Sequence, residues 1–162
     1  MLNEITLSQY ITYAGNLFKC IFKRTAILQK KVEGFSGIST IAKQQIIDSM
    51  EEVLEDSQTL ELETEMHYEE GFPHATYWEE LKIYIDKYKT QPWNLYADMK
   101  NRKINGIYSS FLYYYVKGLV DDIVLLEGWA SEVRIRKQKH GSKNSSYSIH
   151  SGERICERRI PR

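Results

Sequence analysis

The chain has 162 residues, 42% of them hydrophobic and 12% aromatic, which is enough for one domain with a real core. Lys and Arg number 22, as do Asp and Glu, so a zero formal charge points to no single class of partner, but the charges are segregated along the chain. Two cysteines, Cys20 and Cys156, lie far apart without a CxxC. The first residues lack the basic start, apolar run and small-residue site of a secretory leader, so a reducing cytoplasm is the expected compartment.

Leu7, Tyr10, Ala14, Leu17, Ile21, Thr25 and Leu28 recur every three or four residues, which predicts an amphipathic helix from Leu7 to about Val32 with Thr6 as its N-cap. Gly34 and Gly37 supply the break. A second helix, Thr40 to about Glu69, follows from the stripe Ile46, Met50, Val53, Ser57, Leu60, Thr64 and His67, and Gly71 and Pro73 end it. From His74 to Lys89 a shorter helix turns Trp78, Leu81, Ile85 and Tyr88 inward. Pro92 is expected to force Gln91 out of the helical region before Trp93 to about Lys103 resumes. Ile104, Asn105 and Gly106 then form a turn in which Asn-Gly takes positive φ.

The stretch from Ile107 to Lys137 carries more apolar surface at helical spacing than any other. Tyr108, Phe111, Tyr115, Leu119, Asp122, Leu126, Ala130 and Val133 share one face. Leu112, Val116, Val120, Ile123, Val124, Leu125 and Trp129 widen the surface beyond a single stripe. Lys117, Asp121 and Asp122 in its middle exclude a membrane span, since each charge costs about 3 kcal/mol there. The helix is therefore central or buries a second surface. Tyr113, Tyr114, Val116, Val120, Val124 and Trp129 are the residues expected at an interface with another copy or a larger assembly. Three consecutive tyrosines span about 200° of a helix, so at least one ring faces outward, and tyrosine suits interfaces because it buries area while its hydroxyl stays wet.

The expected fold is all-α: an antiparallel four-helix bundle roughly 40 Å long with a Pro-kinked third helix. It occupies residues 1–139. Residues 140–162, rich in Gly, Ser, Asn and Lys and then in Arg, read as a basic tail that is disordered when free.

Between Gln44 and Leu81 there is no Lys or Arg, so the second helix is an acidic rod. Folding the first helix back on it sets Lys19, Lys23, Arg24, Lys30 and Lys31 beside Asp48, Glu51, Glu52 and Glu55. The lower half, Glu61 to Glu70, is expected to lack such partners and to be solvated or to meet a basic molecule. The opposite sign gathers at the end of the chain in Arg134, Arg136, Lys137, Lys139, Lys143, Arg154, Arg158, Arg159 and Arg162. Arginine forks bind phosphate bidentately and release counterions, so these residues are the expected contacts to RNA or DNA.

Two patterns point to chemistry. Glu51, Glu52, Glu55 and Asp56 form EExxED, which resembles the acidic cluster of all-α nucleotide pyrophosphohydrolases of the MazG kind. That resemblance implies magnesium-dependent phosphate cleavage, completed in the family by an ExxD on the next helix. Here Lys82 stands three residues after Glu79 and Ile83 three after Glu80, so the second half is missing. Arg134 and His140 form R-x5-H, which resembles the catalytic motif of HEPN-type ribonucleases, although Ile135 stands where that family commonly has a polar residue. No Ser-His-Asp order, Gly-rich phosphate loop or dinucleotide fingerprint is present, and no cofactor or metal is expected. The reading is a non-enzymatic helical interaction module with a basic C-terminal tail. A small helical ribonuclease, or a metal-dependent nucleotide hydrolase using the second helix, is the alternative.

Overall fold

A computed structural model describes residues 5–70 and 75–138, with side chains described for 5–66 and 76–133. It is all-helical: α1 (Leu7–Glu33), α2 (Thr40–Glu70), α3 (Ala75–Asn101) and α4 (Gly106–Gln138), with no strand among the described residues. Among those residues α1 packs on α2 and α4, and α3 packs on α2 and α4. No helix among them is long and apolar enough to cross a membrane.

The start of α1 follows from a reciprocal cap. Thr6 Oγ1 accepts from the Gln9 N–H at 3.0 Å and Gln9 Oε1 accepts from the Thr6 N–H at 2.8 Å, satisfying two donors that a helix start leaves over. The stripe then buries as its spacing requires: Tyr10, Ala14, Leu17, Ile21, Thr25 and Leu28 are fully enclosed, and Phe18 joins them. Gly34 closes α1 by donating to the carbonyls of Lys31 and Val32, and Gly37 takes the positive φ of 77° that the turn needs. Phe35 stacks on Tyr108 at 4.5 Å and meets Phe111 edge-on at 5.1 Å, while the Tyr108 hydroxyl donates to the Ser36 carbonyl. The first loop is thus fastened to the start of α4. Ser39 Oγ accepts from the Ala42 N–H at 3.1 Å to cap α2.

Two local expectations are corrected. Gln91 does not leave the helix, because α3 runs unbroken through Pro92. Proline removes one backbone bond and crowds the preceding turn, a cost of about 3 kcal/mol. The buried residues on either side, Ile85, Tyr88 and Met99, offset it. The Asn-Gly turn does not take positive φ either; Lys103, with φ of 57°, does so. Asn105 instead caps α4, its Oδ1 accepting from the Ile107 N–H at 2.8 Å, and Gly106 is already helical.

In α4, Leu112, Tyr115, Val116, Leu119, Asp122, Ile123, Leu126, Trp129, Ala130 and Val133 are buried. Burial of a single Leu or Ile among them contributes about 1.5–3 kcal/mol. Asp122 lies on this apolar stripe because it meets Arg24 of α1, Oδ2 to Nη2 at 2.7 Å, with the two side chains 0% and 1% exposed. Tyrosines fasten the interior elsewhere. The Tyr10 and Tyr77 hydroxyls lie 2.8 Å apart, and Tyr77 also meets Thr64 Oγ1 at 2.8 Å. Tyr84 meets Ser57 Oγ at 2.7 Å. Burial pushes the Tyr77 hydroxyl up to about 12 and that of Tyr84 higher still, so both stay protonated hydrogen-bonding groups at any working pH.

Candidate interaction surface

The six residues expected at an interface divide into two groups. Val116 and Trp129 are 0% exposed, so their area is already used by the chain's own core, and they are withdrawn from any surface a partner reaches. The reason is their phase on the helix: both fall beside the stripe that faces α1 and α3, and Trp129 packs 5.5 Å from the Tyr13 ring. Val120 is half-buried. Tyr113, Tyr114 and Val124 remain outward, at 37%, 60% and 49% exposure.

Tyr113, Val120 and Val124 stand seven and four residues apart, which aligns them along one outward line of α4, with Tyr114 at its shoulder. The line is extended by α3. Trp93 lies 5.7 Å from the Tyr113 ring and Tyr96 5.6 Å from it, and Tyr113 meets Tyr114 edge-on at 5.5 Å. Lys100 sits over the Tyr96 ring at 5.9 Å. Aromatic pairs at these separations hold one another in place, so Tyr114 projects from a braced cluster rather than from a lone side chain. Lys117 and Asp121, paired at 3.0 Å one helical turn apart, neutralise each other between the aromatic end and Val124. The described part of the face is therefore apolar and aromatic with little net charge, as the centre of a protein interface is.

The charge pattern is arranged differently from the hairpin pairing expected. Arg24 serves the buried pair with Asp122 rather than the acidic residues of α2. Lys19 reaches Glu65 at 3.1 Å, so the lower half of α2 does have a cationic neighbour. Glu52 and Asp56 are met from α3 by Lys87, at 2.8 and 3.0 Å, and Tyr88 donates to Asp56 at 2.5 Å. Lys89 joins α3 to Glu127 of α4 at 2.9 Å. Glu63 of α2 lies against Glu80 of α3. Its burial, then the hydrogen bond and charge of Glu80, push the Glu63 carboxyl up to about 7.

No protein-family model, curated protein or solved structure matches this chain. The chemistry of the site is therefore read from its own residues. Of the acidic cluster of α2, Glu51 and Glu55 are exposed and Glu52 and Asp56 are engaged by Lys87. Among the described residues no three His, Cys, Asp or Glu side chains converge as metal ligands would. Arg134, Arg136 and Lys137 fall in the last turns of α4, with side chains outside the described residues. Lys139, His140, Lys143, Arg154, Arg158, Arg159 and Arg162 also lie outside them. Sequence reasoning missed Trp93 and Tyr96 as members of the exposed cluster. Their signal was the spacing of three within α3 just after Pro92, which puts two rings on one side of that helix.

Proposed function

We propose that the protein is a non-enzymatic helical interaction module that self-associates or docks on a larger protein assembly, with its basic C-terminal segment contacting nucleic-acid phosphates. One observation carries the first half: Tyr114 and Val124 stay 60% and 49% exposed on a helix whose opposite face fills the core, as part of a braced aromatic and apolar line. Clusters of this kind form the energetic centres of interfaces. The bundle is antiparallel in this reading, with α3 bent at Pro92. Support for the direction comes from contacts that climb one helix as they descend the next: Lys19 with Glu65 and Gln29 with Ile47 between α1 and α2, and Thr64 with Tyr77 and Ser57 with Tyr84 between α2 and α3.

Purification from the native host, run in parallel for the wild type and Val124→Glu, tests the module. A second copy or a defined protein should accompany the wild type and be lost from the variant; an identical set from both rejects this face. The nucleic-acid half rests on the run of cations from Arg134 to Arg162 and requires salt dependence. With about five phosphates engaged, log K should fall against log salt with a slope of roughly −3.5 to −4.5 and with little regard to base sequence. Truncation after Lys139 should weaken binding by more than about tenfold at low salt. Binding indifferent to salt, or unchanged in the truncated chain, rejects that half.

A further inference from the structure

A second surface, on the side of α2 and α3, has a different character. Glu52, Asp56, Thr59, Glu63 and Met66 are spaced 4, 3, 4 and 3 along α2, one line on one helix face. Thr76, Glu80, Ile83 and Lys87, spaced 4, 3 and 4, form the matching line on α3. Between them lies a groove of about 280 Å³ lined by Asp56, Thr59, Leu60, Glu80, Ile83 and Tyr84, with Lys87 at one end. Ile83 is 67% exposed at its edge, and Met66 is 55% exposed further along.

The apolar part of the groove invites a side chain, and its rim selects the charge. Of the acidic residues lining it, Asp56 is engaged by Lys87, which also pairs with Glu52 just beyond the groove, while Glu80 turns to Glu63 beside it. At the other end Glu63 and Glu80 hold two carboxyl groups against each other with Lys19 directed to Glu65 instead. A guanidinium or ammonium placed between Glu63 and Glu80 supplies a counter-charge that no ion pair among the described residues provides there. From Glu52 to Met66 the line runs fourteen residues, roughly 21 Å at 1.5 Å per residue, the length of a short helix.

We propose that the groove between α2 and α3 is a docking site for a basic amphipathic helix of a partner protein, whose aliphatic side chains pack on Leu60 and Ile83 and whose arginines or lysines pair with Glu63 and Glu80. The mode is a helix laid into a groove between two others, with apolar anchors giving affinity and the acidic rim giving selectivity. It is independent of the outward face of α4, which carries no such excess of one charge, so either surface can fail without the other.

The test uses the full chain and a fluorescein-labelled peptide of roughly 14 residues, with leucines at helical spacing on one face and arginines on the other. Two control peptides accompany it: one with glutamate in place of arginine, and one of the same composition with the spacing scrambled. The amphipathic basic peptide should raise anisotropy saturably, with the acidic peptide inert and the scrambled one at least about tenfold weaker. Ile83→Lys and Glu80→Lys, both at exposed positions, should each weaken binding by about tenfold or more with circular dichroism unchanged. Tyr114→Ala should leave it unaltered. Equal binding of the scrambled peptide, indifference to both groove variants, or absence of saturable binding would overturn the proposal. So would loss of self-association in Ile83→Lys, which would make a second copy of this chain the occupant.

Discussion

Arg24 and Asp122 place opposite charges in the core at 2.7 Å, where each depends on the other for the solvation it has lost. Removing one partner leaves an uncompensated buried charge, so Asp122→Ala should cost about 3–5 kcal/mol, read as a lowered denaturant midpoint. Arg24→Met combined with Asp122→Leu should recover most of that loss. A double variant as unstable as the single one would mean that the pair, rather than the orphaned charge, supplies the stability. Glu63 gives a second expectation, with a sign fixed by its carboxyl being raised from 4.5 to about 7. A carboxyl raised on folding contributes stability that is fully present below about pH 4.5 and is lost as pH rises through about 7. Glu63→Gln, which keeps the uncharged form, should therefore stabilise the protein at pH 8 by roughly 1 kcal/mol after allowance for solvent screening of this partly exposed pair. At pH 4.5 it should change little. A thermal unfolding difference independent of pH would assign the effect to packing.

At the scale of the element, the ends of the helices are set by single side chains whose worth can be measured. Thr6→Ala removes the reciprocal cap of α1 and should cost about 1 kcal/mol, a fall in Tm of roughly 2–4 °C for a chain of this size. Lys103→Gly should gain up to about 1 kcal/mol, because a side chain at φ 57° stands in the left-handed region that only glycine enters readily. A loss of stability there would show that the Lys103 side chain contributes more than its backbone costs. The same elements show what was legible in the sequence. The apolar stripes of α1, α2 and α4 could be read because burial repeats every three or four residues, and Thr6 because its cap is local. Pro92 was misread because a rule about one residue was weighed without the buried neighbours that hold α3 together. Arg24 and Asp122 were separated because their partnership is made by packing of α1 on α4, and a charge on an apolar stripe was the only trace of it. Tyr77 and Tyr84 share the inward face of α3 at spacings of 4, 3 and 4 with Leu81 and Tyr88, so their place was legible; what no local pattern records is that their hydroxyls find buried partners on other helices.

At the scale of the whole molecule, α4 is used on both sides. Its inner residues, from Leu112 to Val133, are enclosed, and its outer line of Tyr113, Val120 and Val124 is braced at Tyr113 by Trp93 and Tyr96 of α3. The surplus of apolar residues that marked this helix in the sequence was larger than the surplus that reaches solvent, since Val116 and Trp129 belong to the core. The portion that does reach solvent is the reason to expect a partner. Light scattering of the full chain across a wide concentration series, for the wild type and for Tyr114→Glu with Val124→Glu, tests this most directly. Self-association through this face predicts a mass that rises with concentration in the wild type and stays that of the monomer in the variant, with the same helical content in both. A wild type that is monomeric throughout and no less soluble than the variant would contradict it.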